Sequence, residues 1–295
     1  SIDIDVDRVT PEQGKVLNRV YPKKVYDVFA GDQLVLVGRY HHPGQAKVVV
    51  RGDVNGEQME MDFPTELAEK SKGVKYAFIE KLWAVRRVGE IIDQIDLQGQ
   101  NSELMDELIH LSRKHGILTP FTSYLADENS DVRDMSLARQ RVGSQLRLLE
   151  QESGESGFKQ RVVKSQLQSA GGGITTDSPT LPEKGAARPN ATNAFGFAGQ
   201  SASANGTVRF KRELSEKSEE VRNLRQIGSK SFYKEGESWV DSVASKEQST
   251  QAIKVQRFSK AYFDLAAKHG KELGPVLKLD GQIIVVLEGK AYLFE

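Results

Sequence analysis

Apolar and polar residues alternate at the start of the chain. Ile2, Ile4 and Val6 stand between Asp3, Asp5 and Asp7, the pattern of a strand with one buried face. Up to about residue 63 the chain keeps a β character. Residues 34–37 and 48–50 are aliphatic runs, punctuated by Gly31, Gly38, Pro43-Gly44, Gly52 and Asn55-Gly56. Asn55-Gly56 predicts a two-residue hairpin joining strands at 47–54 and 57–63, because both residues accept positive φ cheaply. Pro64 is expected to end this meander. After Gly73 the period changes to that of a helix. Phe78, Leu82, Val85, Gly89, Ile92 and Ile95 form one stripe of roughly six turns, with Arg86, Arg87, Glu90 and Asp93 mostly off it. A second helix follows, capped by Asn101 or Ser102, with Leu104, Leu108 and Leu111 inward. Lys114 and His115 sit in its last turn and Gly116 at its C-cap.

A third helical stretch, at about 131–152, has only a thin apolar stripe and is expected to project from the body. The tract 171–206 cannot bury enough to offset its ordering entropy, since 27 of its 36 residues are Gly, Ala, Ser, Thr, Asn or Pro. It predicts a disordered, protease-sensitive linker. Beyond it the sequence predicts a polar helix near 214–224 and a hairpin turning at Lys234-Glu235-Gly236-Glu237. A helix capped by Ser259 and ended by Gly270 and Gly274 follows, then short strands at 276–279, 282–287 and 290–294. The fold class is α+β. Sandwich-like strands and helices occupy 1–126, a projecting helix 127–153, a linker 154–206 and a small α+β domain 207–295.

Charge narrows the function. Lys plus Arg and Asp plus Glu are 41 each, so no net field recruits a polyanion, and nucleic acid is not the expected partner. The Arg-containing stretch at 131–152 is a weak nucleic-acid candidate, opposed by its own Asp and Glu residues. With no Cys, disulfides, thiolate catalysis and Cys-ligated zinc are excluded. The longest strongly apolar run, 283–287, is far short of the ~20 residues that span a bilayer. The chain opens into a strand rather than a signal peptide, and the C-terminal part of a longer polypeptide is expected.

No motif for catalysis is present. P-loop, nucleophile-elbow and dinucleotide fingerprints are all missing. His110 and His115 are five apart, so they diverge around a helix, while His41-His42 point to opposite faces of a strand. Asp3, Asp5 and Asp7 lack the turn and terminal acid of a calcium loop. Asp134, Ser136 and Ala138 resemble a metal-ion-dependent adhesion motif broken at its third position. Trp83 and Trp239 with their aromatic neighbours are candidate ligand platforms, but Trp83, one residue from the apolar stripe, fits core-edge packing better. Asn190-Ala-Thr192 and Asn205-Gly-Thr207 are sequons that a Ser/Thr/Asn-rich tract produces by chance. No catalytic, cofactor-binding or metal residue is assigned.

Three blocks carry a family resemblance. Tyr21-Pro22-Lys23-Lys24 leads into Asp27-Val28-Phe29-Ala30-Gly31-Asp32-Gln33-Leu34-Val35-Leu36-Val37-Gly38-Arg39-Tyr40. Leu82-Trp83-Ala84 precedes Arg86-Arg87-Val88-Gly89, and Gly116-Ile117-Leu118-Thr119-Pro120-Phe121-Thr122-Ser123-Tyr124 comes last. In this order the blocks resemble the region after the von Willebrand factor A (VWA) domain in inter-alpha-trypsin inhibitor heavy chains, and more closely in bacterial proteins joining a VIT to a VWA domain. Tyr26 departs from the Pro usual there. The resemblance implies that residues 1–63 belong to a sandwich-like module completed by segments preceding the VWA domain. It also implies an extracytoplasmic location, secreted or in the cell envelope, with protein or matrix-like partners. The heavy chains' ester chemistry needs an Asp-Pro pair that this chain lacks. The expected function is non-enzymatic adhesion or scaffolding without a cofactor. The alternative is an enzyme of unrecognised class with its site in 207–295, using Asp241, His269 or Tyr233.

Overall fold

The computed structural model describes residues 3–8, 16–25, 28–29, 34–54, 56–70, 76–128, 130–147, 167, 200–203, 206–210 and 219–295. The chain is α+β. An N-terminal sheet joins β1 (Asp3–Arg8), β4 (Gly44–Val54) and β5 (Glu57–Leu67) in the order β1-β4-β5, all antiparallel. Val54 pairs with Glu57 across a two-residue turn, and Gly56 has the positive φ that such a turn demands (88°). Pro64 does not end the meander. It sits within β5 opposite Lys47, where an edge strand tolerates a missing N–H. A small ladder pairs β2 (Leu17–Tyr21) with β3 (Val37–Tyr40).

Two antiparallel helices follow, α1 (Ala77–Gln98) and α2 (Ser102–His115). Asn101 caps α2 through its side chain, which accepts from the N–H groups of Glu103 and Leu104, and Gly116 closes it in the left-handed conformation. α1 is buried all round from Leu82 to Ile92, not along one stripe, so Arg86, Arg87 and Glu90 lie inside. A short 3-10 turn, Ser123–Ala126, leads to α3 (Met135–Leu146). This helix packs by Ala138, Val142 and Leu146, an i, i+4, i+8 row that joins the main core. Asp134 is its N-cap, accepting from the N–H groups of Ser136 and Leu137, which accounts for the Asp134/Ser136 pattern without a metal.

The second half is a mixed eight-stranded sheet in the order β11-β13-β12-β10-β9-β8-β7-β6. Its strands are β6 (Gln200–Ala202), β7 (Thr207–Phe210), β8 (Glu219–Ile227), β9 (Lys230–Glu235), β10 (Ser238–Asp241), β11 (Ile253–Val255), β12 (Gln282–Leu287) and β13 (Lys290–Phe294). β8 replaces the helix expected near 214–224. Pairing on both sides, with Val221, Asn223 and Leu224 buried, overrides the helical propensity of its Glu- and Arg-rich sequence. β6 replaces the end of the expected linker, the rest of which lies mostly outside the described residues. Between the sheet strands stand α4 (Lys246–Thr250) and α5 (Lys260–Val276), the latter capped by Ser259. α5 does not stop at Gly270 but kinks at His269 and runs through Gly274 and Pro275, so the strand expected at 276–279 is absent.

One hydrophobic cluster takes side chains from both halves of the chain. Val208, Phe210, Val221, Leu224 and Tyr233 from one sheet face share a cluster with Leu82, Trp83, Ile92, Leu108 and Leu118. The other face carries Phe232, Trp239, Ile283, Val285 and Phe294 against Leu273 and Val276 of α5.

Candidate functional site

Three clusters of polar side chains are buried, and each is best understood from the backbone it serves. The first surrounds α1. Arg86 donates to the carbonyls of Tyr21 (2.8 Å) and Val35 (3.1 Å), and the Trp83 indole N–H donates to the Arg19 carbonyl (3.0 Å). Arg87 pairs with Glu90 (3.0 Å) and with both carboxylate oxygens of Glu107. Tyr21 hydroxyl and Lys23 also bond Glu90. Burial pushes the Glu107 carboxyl up, but the hydrogen bonds and charge of Arg87, with Arg19, outweigh it and hold the group below its ordinary value. The sequence blocks around Tyr21 and Trp83 meet here.

The second cluster closes the C-terminal end of α2. The last carbonyls of a helix have no partner within it, and here the sheet supplies them. Tyr233 hydroxyl donates to Arg113 O (3.0 Å), Ser242 hydroxyl to Lys114 O (2.9 Å), and the Gln226 amide to both His115 O and Gly116 O. Gln200 bonds Gly116 O and accepts from Leu118 N–H. Lys81 donates to Gln226, and burial pushes its amine down to about 7. A Cβ on Gly116 would stand 2.7 Å from the Gln226 amide nitrogen. Gly116→Ala is therefore expected to cost at least about 1–2 kcal/mol from the left-handed backbone alone, read as a lower urea midpoint.

His115 belongs to this junction. Burial pushes its imidazole down from 6.5 to about 4, aided by Lys114, Lys81 and His110 and opposed by Glu80. The folded chain keeps the ring neutral, whereas the unfolded chain takes up a proton first as pH falls. Stability is thus lost on descending from 6.5 towards about 4, by up to about 3 kcal/mol. Urea melts at about pH 7 and about pH 5 are expected to show this loss in the native chain and to show it flattened in His115→Gln; an equal slope in both would assign it elsewhere.

The third cluster holds Asp241, buried and bonded by Lys230 Nζ (2.9 Å) and by the N–H groups of Val243 and Val286. Tyr233 and Asp241 do not converge. They lie on adjacent strands but opposite sheet faces, Tyr233 towards α2 and Asp241 with Phe232 towards α5. His269 sits at the kink of α5, near the Glu288 carboxylate at the β12–β13 turn. Among the described residues no three His, Cys, Asp or Glu side chains come close enough to hold a metal ion, and no helix is long and apolar enough to cross a membrane.

One surface differs from these closed clusters. The β1-β4-β5 sheet has a charged face, where Lys47 pairs with Asp62 (2.8 Å) and Arg51 with Glu60 (2.8 Å) and Asp5 (3.6 Å). Asp3, Asp5 and Asp7 belong to it. The opposite face aligns Ile4, Val50 and Met61 in one row and Val6, Val48 and Phe63 in the next, extended by Met59 and Val54. Met59 (47%), Met61 (44%), Phe63 (50%) and Val54 (49%) stay exposed. Ion pairs line one face, where Val49 is fully buried; on the other, Ile4, Val6, Val48 and Val50 are half-buried while Val54, Met59, Met61 and Phe63 stay open to solvent as an apolar patch. Comparison of the chain with protein-family models, characterised proteins and solved structures finds no match.

Proposed function

We propose that the chain is a non-enzymatic structural and interaction region of an exported protein of the VIT and VWA type, serving adhesion or protein–protein scaffolding. The observation that carries this is the open apolar face of β1-β4-β5. Its occupant is the set of strands that the heavy-chain-like resemblance places before the VWA domain, completing a two-layer sandwich at the usual spacing of ~10 Å. The buried polar clusters point the same way, since each binds backbone or a counter-charge within the chain. The α1–α2 pair and the eight-stranded sheet then form the base from which the face is presented.

The test is Met61→Glu and Phe63→Glu. Both are expected to leave the melting temperature of the chain nearly unchanged, because the side chains already contact solvent. Both are expected to abolish binding of the preceding VIT and VWA region supplied in trans. A large drop in melting temperature would mean that the chain covers this face itself, and undiminished binding would move the contact elsewhere.

A further inference from the structure

We propose that Lys230 and Asp241 are the partners of a self-formed intramolecular amide cross-link, with Glu272 as the proton-transfer group. The fold brings these side chains from β9, β10 and α5 to one point. Lys230 Nζ lies 2.9 Å from Asp241 Oδ2 and 3.5 Å from Glu272 Oε1. Asp241 is 1% exposed and Lys230 15%, whereas Glu272 is 45% exposed and connects the pair to solvent. The remaining contacts are to backbone. Val243 N–H donates to Oδ1 (3.2 Å), Val286 N–H donates to Oδ2 (3.2 Å), and Val286 O accepts from Nζ (2.9 Å).

Each contact has a place in a condensation. An amine is held against a carboxyl at near-attack range, so the entropy of bringing them together is already spent by folding. The Lys230 ammonium passes one proton to Asp241 Oδ2, 2.9 Å away, so that the freed lone pair adds to the Cγ of a neutral carboxyl, and Glu272, 3.5 Å from Nζ, takes a second proton from nitrogen as the C–N bond forms. Negative charge then develops on Oδ1, where Val243 N–H already points. The Cγ–Oδ2 bond breaks as Oδ2, already a hydroxyl, takes from Glu272 the second proton that nitrogen gave up and leaves as water. The products are one amide and one water, and no oxidant or co-substrate is consumed. The chain has no Cys, so this is a covalent lock that its composition permits. It would close the β9–β10 hairpin that carries Tyr233 to the end of α2.

The experiment is the intact mass of the purified full chain under denaturing conditions, followed by a tryptic digest. The expected mass is one water below that of the sequence, with a branched peptide joining the Lys230 and Asp241 segments and no cleavage after Lys230. Lys230→Ala and Asp241→Ala are expected at the full sequence mass. Glu272→Gln, a change at a half-exposed position that should leave the fold intact, is expected to form the bond about a hundredfold more slowly. A native chain at the full sequence mass, with both peptides recovered unbranched, would reduce the pair to an ion pair and overturn the proposal. A water loss mapped to an unbranched peptide would overturn it equally.

Discussion

Arg87→Ala is expected to lower stability by about 3–5 kcal/mol, among the largest effects of any single substitution in the chain. The reason is what the change leaves behind. Glu107 would keep Arg19, and Glu90 would keep Lys23 and the Tyr21 hydroxyl, without the guanidinium that bonds both, and carboxylates with so little contact with water recover little of the loss by hydration. The pH dependence follows from sign. Both carboxyls are held below their ordinary value in the folded chain, despite burial, so their stabilisation is present at neutral pH and is lost as pH falls through the folded values. Removing Glu107 together with Arg87 takes away one under-paired charge, left with Arg19, so the double variant is expected to cost less than the sum of the two single changes. Urea unfolding of the four proteins measures this directly. Additive losses would show that the pair is not coupled.

Trp83→Ala is expected to cost a similar ~3–5 kcal/mol, for a different reason. The indole is 8% exposed, fills the space between α1 and β2, and donates its N–H to the Arg19 carbonyl. Truncation leaves both a cavity and an unpaired carbonyl. Arg39, stacked over the ring at 5.2 Å, would lose its platform. Thermal unfolding is expected to move down by roughly 10 °C. A melting temperature within ~1 °C of the native chain would mean that Trp83 does not hold β2 to α1.

What the sequence reveals depends on how local the cause is. The caps of α2, the Asn55-Gly56 turn and the Ser259 cap are readable because a few adjacent residues determine each one. Arg86, Arg87 and Glu90 are not readable as core, since charged side chains off the apolar stripe look like a solvated face until their partners on β2 and α2 are known. β8 is hidden for a related reason. Its Glu, Arg and Asn residues suit a helix locally, and only pairing with β7 and β9 makes them a strand. Gln200 shows the limit most clearly. It stands in a polar tract whose composition predicts disorder, yet its amide closes the end of α2 by binding Gly116 and Leu118 across more than 80 positions. Tyr233 pairs opposite Val240, so alternation along the strand puts it and Asp241 on opposite faces of the sheet, which the sequence does not show until the β9–β10 register is known.

The claim that the β1-β4-β5 face is the chain's docking surface can be tested with one reporter, because the chain contains no other cysteine. Phe63→Cys places a thiol on the open face, and Phe258→Cys, at a residue 74% exposed in the turn before α5, serves as reference. The alkylation rate of each would be measured in the chain alone and in the longer protein that includes the VIT and VWA region. The expected result is fast labelling at both positions in the chain alone, with protection at position 63 and none at position 258 in the longer protein. Equal labelling of position 63 in both proteins would contradict the account.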